Sequence, residues 1–325
     1  MDQNNSPEGD RIYDLYTGVY KPQIIRIALG LDVFSPLSAG PAIAEVVAQA
    51  CKCDEVGLRR LLDYLTSLNI LKKENDNYLL SIEASTFLVR GKKAYTGDLI
   101  MDFTGPAPWE SIRDSIRSGQ PHNIDLDIHF AQDAWIESYR TLRIPNSLEM
   151  WTKAGIIPES SLHLHLLDLA CGCGIKSMVL AQRSTNVKLT CLDTPLVLEV
   201  AHDLAVRWGI LSQVCFLPDN LMTADLGQAK YDVCLLGQIT HYLTMQQNCE
   251  LFERIYKVLV PGGKLVLDVP MENAQPNESS SFLSLILWAN SGGRAYKFDE
   301  YRSWLLNSGF ITTHLLSERL LSAVR

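Results

Sequence analysis

Residues 164–177 read Leu-His-Leu-Leu-Asp-Leu-Ala-Cys-Gly-Cys-Gly-Ile-Lys-Ser, and the architecture follows from how that stretch must behave. The first six form a mainly apolar run interrupted by His165 and Asp168, which suits a buried strand. The next five, Ala170 to Gly174, are small, and glycines there let the backbone bend sharply and pass close to a ligand. A helix is expected near 175–183. Strand, small-residue turn and helix in that order open an α/β sheet whose ligands sit over the carboxyl ends of its strands.

Downstream the pattern repeats. Leu189–Leu192, Val214–Leu217, Val233–Leu236 and Leu265–Val269 read as further buried strands, with helical stretches near 195–208 and 246–259 between them. This alternation predicts an α/β, Rossmann-like, doubly wound and mostly parallel sheet. Helices near 280–290 and 298–308 lead to two extended runs, Ile311–Leu316 and Leu320–Val324, joined only by Ser317-Glu318-Arg319. A link that short can only make a hairpin, so one antiparallel strand is expected to end the sheet.

Upstream the pattern is helical. A helix is expected from Ile12 to Leu31 with Pro22 as a break and with Tyr13, Tyr16, Tyr20, Ile24, Ile27 and Leu31 as a core face. Helices over 42–50 and through Leu58, Leu61, Leu62, Leu65 and Leu68 follow, then two short extended pieces, Ile70–Lys72 and Tyr78–Leu80, around the turn Glu74–Asn77. Helix, turn, helix and hairpin is the winged-helix order. Residues 99–160 are rich in Met and aromatics and are interrupted by prolines. They are expected to be a helical linker that fills core and walls an apolar pocket. The expected division is a solvated tail over 1–10, a winged-helix-like domain over 11–98, the linker over 99–160 and a Rossmann-like domain over 161–325.

Composition narrows the function. With 325 residues, 47% of them hydrophobic, the chain can fill two cores. No run of about 18 uncharged apolar residues occurs and the start is polar and acidic, so a cytoplasmic protein without membrane contact is expected. A net charge of -8 argues against nucleic acid as a partner, and Arg59 and Arg60 share the would-be recognition helix with Asp54, Glu55 and Asp63. A winged-helix DNA-binding regulator is therefore the lesser alternative. The eight cysteines lack metal-site spacing and are expected to be apolar fillers, with no metal bound.

The turn after Asp168 is the first candidate site. Gly172, Gly174 and Ser177 also fit the spacing of dinucleotide enzymes, which stay in view. At the end of the second strand Asp193 can accept hydrogen bonds from both ribose hydroxyls of an adenosine. Asp168, directly before the turn, would repel a pyrophosphate but suits the ammonium group of a methionine moiety, which favours S-adenosylmethionine.

On these residues the stretch 165–270 resembles class I S-adenosylmethionine-dependent methyltransferases. From about residue 11 the chain resembles the plant-type and bacterial small-molecule O-methyltransferases with an N-terminal winged-helix dimerisation domain. The resemblance implies a homodimer, S-adenosylmethionine as cofactor with S-adenosylhomocysteine as its product, and a small, aromatic or polyketide-like secondary metabolite as methyl acceptor. The family's acidic-x-Gly-x-Gly-x-Gly motif falls on Asp168, Ala170, Gly172 and Gly174, with alanine in place of the first glycine. Asp193 matches its ribose acid and Thr194 flanks the adenine. Its Gly-Asp-Phe motif falls near Asp219, Asn220 and Leu221, with either Asp219 or Asn220 on the adenine amino group. Gly237 lies on the cofactor side, where plant enzymes carry a lysine.

His241 falls on the family's base histidine, five residues past a strand end, and Asp268 is a candidate to orient it. Tyr242 replaces the plant enzymes' aspartate. Candidate pocket residues are Phe103, Trp109, Met150, Trp151, Tyr242, Phe282 and Trp288, the last two on a helix followed by Gly292, Gly293, Arg294 and Tyr296. Because a phenol or alcohol must lose its proton to become a good nucleophile, a base is expected for O-methylation. N- or C-methylation of a nucleophilic acceptor would not need His241. Gly237 and Tyr242 also keep open a methyltransferase-fold decarboxylase or pericyclase.

Overall fold

The computed structural model describes residues 9–92, 95–105, 107–122, 144, 146–159, 161, 163–272 and 278–325. The chain divides into two compact units, Met1–Pro106 and Ala107–Arg325, so the division falls inside the stretch expected to be a linker. The expectations for residues 1–8 and for 123–143 of the expected linker lie outside the described residues.

The first unit contains helices α1 (Gly9–Thr17), α2 (Tyr20–Gly30), α3 (Phe34–Leu37), α4 (Ala44–Cys51) and α5 (Glu55–Ser67). A hairpin, β1 (Leu71–Glu74) and β2 (Asn77–Leu80), follows, then α6 (Ile82–Phe87) and α7 (Gly97–Phe103). Asp54 starts α5 by accepting the Gly57 N–H at 3.0 Å, and Leu58, Leu62 and Leu65 recur on its inward face, where they are buried. Asn75 and Asp76, both with positive φ (46° and 66°), turn the hairpin tightly, as those residue types tolerate best.

Two expectations for the first helix are corrected. The break lies at Gly18 and Val19, while Pro22 sits in the first turn of α2, where its missing N–H has no helical partner to lose. The face of Tyr13, Tyr16, Tyr20, Ile27 and Leu31 is exposed. Within this unit the core is made by Ala28, Leu29, Val33 and Phe34 with α4, α5 and the hairpin, which leaves the other stripe uncovered.

The second unit contains α8 (Ala107–Ser118), a helical stretch at 146–153, β3 (Leu164–Leu169), α9 (Ile175–Ala181), β4 (Val187–Asp193), α10 (Pro195–Arg207) and β5 (Val214–Pro218). It continues with β6 (Tyr231–Gly237), α11 (Met245–Val258), β7 (Leu259–Asp268), α12 (Glu278–Ser291), α13 (Phe298–Asn307), β8 (Thr312–Ser317) and β9 (Leu320–Val324). The sheet order is β5-β4-β3-β6-β7-β9-β8, with β3 to β7 mutually parallel and β9 antiparallel to both of its neighbours. This is the expected Rossmann-like sheet with a C-terminal antiparallel hairpin.

The antiparallel strand lies one position in from the edge, with β8 outermost. Leu320 to Ala323 are buried in succession, as a strand covered on both faces requires, whereas Thr312, His314 and Leu315 are exposed. β7 also begins earlier than its apolar run suggests. It passes through Pro261-Gly262-Gly263 with a register shift opposite Tyr231 and Val233, so those glycines make an irregularity in the strand. Chain order reverses between β3 and β6, which opens a crevice at their carboxyl ends. Among the described residues no helix is long and apolar enough to cross a membrane, and no group of three or more His, Cys, Asp or Glu could hold a metal ion.

Candidate active site

At the end of β3 the backbone enters the left-handed region three times in five residues: Ala170 (φ 53°), Gly172 (φ 57°) and Gly174 (φ 72°). Only glycine takes this conformation without penalty, so Ala170 holds a strained position that costs about 1 kcal/mol. A Cβ on Gly172 would meet nothing within 4 Å, so the inside of the loop is open. Asp193, ending β4, closes the loop from the side. Its Oδ2 accepts the Gly172 N–H at 2.8 Å and its Oδ1 accepts the Thr194 N–H at 2.8 Å. A carboxylate oxygen can accept from more than one donor.

Asp168 is buried, and its Oδ2 accepts from Ser177 Oγ at 2.5 Å. Burial raises its pKa to about 7, against the opposing pull of the Ser177 hydrogen bond and of Lys176. A carboxyl group in this state gains most from an incoming cation.

On the adenine side the structure brings Asp219 beside Asp193, since the Asp219 N–H donates to the Asp193 carbonyl at 3.2 Å. Both candidate side chains are turned to local backbone: Asp219 Oδ1 accepts the Asn220 N–H at 2.7 Å, and Asn220 Oδ1 accepts the Met222 N–H at 2.8 Å. The Asn220 amide nitrogen is the donor this leaves. Leu221 is half-buried against the core, and Thr194 Oγ1 is buried without a partner at the start of α10.

Gly237 and Asp268 end β6 and β7 as register partners. Between them lies a residue that the sequence did not single out. Lys176, in the first turn of α9, is buried, and its Nζ stands 2.7 Å from Asp268 Oδ2, at ion-pair distance but off the line of a hydrogen bond. A Cβ on Gly237 would fall 2.9 Å from that Nζ. The next residue, Gln238, takes a positive φ (67°) and donates both its N–H (2.9 Å) and its Nε2–H (2.8 Å) to the Asp268 carbonyl, which fastens the two strand ends. A strained non-glycine residue at a strand end is a sign of function that no sequence pattern reveals.

His241 lies in a short 3-10 turn, Thr240–Tyr242, buried, and its Nδ1 has no partner among the described residues. Burial first, then Arg319 and Lys176, lower its pKa to about 3, and Asp268 opposes them. The imidazole is therefore neutral throughout the physiological range. Asp268, expected to orient His241, has Lys176 as its ion-pair partner, and it acts on the histidine by favouring the charged form. Gly293, just past α12, packs directly on this turn, because a Cβ there would clash with the His241 carbonyl.

The expected pocket residues separate into three groups. Tyr242 lies tilted against His241 (4.5 Å between ring centroids), and Trp109 of α8 meets Phe282 of α12 at 5.9 Å, the latter two about half exposed. Trp288 is half-buried on α12. Met150 and Trp151 are corrected: both are buried in the core against α9 and the sheet, and Trp151 Nε1 donates to the Lys176 carbonyl at 2.5 Å. Phe103 belongs to α7 of the first unit, and its side chain lies outside what is described.

The residues present fit an adenosyl amino acid. The open left-handed loop, the buried acid at its foot, the carboxylate clamped at its side and the buried, unsatisfied Lys176 ammonium offer groups for a zwitterion and a ribose.

Comparison with known proteins agrees. Residues 13–90 match the O-methyltransferase dimerisation domain, and residues 166–263 match a methyltransferase domain. The chain is 25% identical over 313 residues to acetylserotonin O-methyltransferase of Rattus norvegicus, covering 92% of this chain and 72% of that one. It is 26% identical over 309 residues to the tetracenomycin polyketide synthesis 8-O-methyl transferase TcmO of Streptomyces glaucescens, covering 92% and 90%. Human N-acetylserotonin methyltransferase, solved in complex with S-adenosylmethionine, shares the fold with a TM-score of 0.81 at 18% identity, covering 100% of this chain and 99% of that one.

Proposed function

The chain belongs to the S-adenosylmethionine-dependent O-methyltransferases with a dimerisation domain, and from that premise we propose that it methylates a hydroxyl of a small aromatic or polyketide-like acceptor, with His241 taking the proton. The observation that carries this reading is a buried, neutral imidazole at the same end of the sheet as the Asp168–Asp193 cradle.

The cofactor, when bound, supplies an electrophilic methyl group on a sulfonium. The chain's own part is placement and proton handling. Asp168 would hold the ammonium of the amino-acid end, and Asp193, already fixed by two backbone N–H groups, would accept from the ribose hydroxyls. Holding two reactants at near-contact distance supplies the larger share of the rate. His241 accepts a hydrogen bond from the acceptor hydroxyl and then its proton, and Asp268 favours the imidazolium so formed while burial, Arg319 and Lys176 oppose it. A base of such low proton affinity works best on an acidic hydroxyl, which points to a phenol, of pKa about 10, over an alkyl alcohol. TcmO, named for polyketide synthesis, supports the same acceptor class.

The low proton affinity of His241 also favours a second reading, in which the acceptor is already nucleophilic and the histidine only orients it. His241→Ala separates the two. Under the first, turnover falls about 10²- to 10⁴-fold while S-adenosylhomocysteine binds as before; a loss of less than about tenfold would exclude general-base catalysis.

The same premise supports a homodimer. Ile12, Tyr13, Leu15, Tyr16, Val19 and Tyr20 are exposed apolar residues, the same unit carries a groove of about 520 Å³ lined in part by Ile24, Ile27, Leu31, Leu58, Leu61 and Tyr64, and a second copy would cover such surfaces.

A further inference from the structure

Lys176 is an unfinished site. Its side chain runs from the first turn of α9 to the ends of β6 and β7, where the residue as a whole is only 9% exposed. An ammonium has three donors, and burying them without acceptors is unfavourable. Among the described residues the anion within reach of its Nζ is Asp268 Oδ2 at 2.7 Å, which is badly aligned, and no described acceptor completes a hydrogen bond. Space for the ammonium exists because residue 237 is glycine: a Cβ there would lie 2.9 Å from Nζ and 3.0 Å from Cδ. Lys176 also lowers the proton affinity of both Asp168 and His241, so both groups feel its charge.

The amino-acid end of the cofactor carries one ammonium and one carboxylate. Asp168 answers the first, while every other candidate at the loop, Ala170, Gly172, Gly174 and Asp193, is neutral or negative. We propose that Lys176 binds the carboxylate of the cofactor's amino-acid end, turning to it from Asp268, and thereby fixes which end of the loop each charge occupies. This rests on the reading that the β3–α9 turn holds that end of the cofactor. Turning away would also release Asp268 toward His241, so one residue would link cofactor binding to the charge around the base.

The test uses two ligands that differ only in the carboxylate, S-adenosylhomocysteine and its decarboxylated analogue S-adenosyl-3-thiopropylamine, titrated calorimetrically into the full chain. The unaltered protein should prefer the first by about 10- to 100-fold, the worth of a charge-assisted hydrogen bond. Lys176→Met and Lys176→Gln should lose that preference to within about threefold while binding the analogue as before, and Lys176→Arg should recover part of it. Unchanged affinity for the analogue also reports that the nucleoside half of the site is still folded in each variant. A preference retained in Lys176→Met overturns the assignment of Lys176 and leaves the site where it is. An equal loss of both ligands overturns it too, by showing that the lysine only supports the fold. Failure of the unaltered protein to bind either ligand overturns the site reading and the assignment together.

Discussion

Asp168 offers the sharpest prediction because two requirements on it conflict. To hold an ammonium it must be a carboxylate, yet burial raises its pKa from 3.8 to about 7. A cation taken up beside it must therefore displace a proton at neutral pH. The sign follows directly: below pH 7 the carboxyl is increasingly protonated, and binding loses about tenfold in affinity for each further pH unit. Above pH 8 affinity should level off. About 0.9 proton should be released per site at pH 6, about 0.5 at pH 7 and about 0.1 at pH 8. Calorimetry with S-adenosylhomocysteine in two buffers of different ionisation enthalpy measures both quantities. Asp168→Asn, nearly the same shape, keeps the ligand's own ionisation and removes that of the protein. It should abolish the pH dependence and weaken binding at pH 8 by about 10- to 100-fold. Affinity that is flat from pH 6 to 8 in the unaltered protein, with no difference between buffers, would refute the placement of an ammonium at Asp168.

Three further outcomes are expected. Ala170→Gly relieves a left-handed alanine and should raise stability by about 1 kcal/mol in thermal or urea unfolding, less the entropy glycine adds to the unfolded chain. Gly293→Ala forces a methyl group into the His241 carbonyl, so turnover should fall at least about tenfold with S-adenosylhomocysteine affinity unchanged, which kinetics and calorimetry on the same preparation would show. Ile12→Glu with Tyr16→Glu places charges on the exposed apolar residues of α1 and should convert a dimer to monomers in analytical ultracentrifugation; a monomer before substitution would exclude the dimer.

What the sequence made legible was whatever depends on neighbours along the chain. β3 was bounded to the residue, because an apolar run followed by glycines has few alternatives, and the Asn75–Asp76 turn followed from residues that accept positive φ. The order of the last two strands was not legible, since a three-residue link fixes a hairpin but not which arm enters the sheet. Helical spacing found the apolar face of α1 and α2 correctly and assigned it wrongly to the core, because periodicity shows that a face must be covered and not by which chain. Met150 and Trp151 fail for a related reason: an aromatic-rich helix suits a pocket wall and a core alike.

Lys176 and Gln238 escaped altogether. A lone lysine in the first turn of a helix reads as a solvated side chain, and only the tertiary meeting of α9 with Gly237 and Asp268 buries it. That contact also explains why Asp268 is not simply the orienting partner of His241, a matter that no spacing within the sequence could decide.

The turn joining β3 to α9, with Asp193 at its side, is the proposed seat of the adenosyl amino acid. Difference density from crystals grown with S-adenosylhomocysteine tests it most directly. The expected density is a nucleoside whose ribose hydroxyls meet Asp193 and whose amino-acid end lies over Gly172 and Gly174 within reach of Asp168. Density for the ligand elsewhere on the chain, with this crevice filled only by solvent, would contradict it.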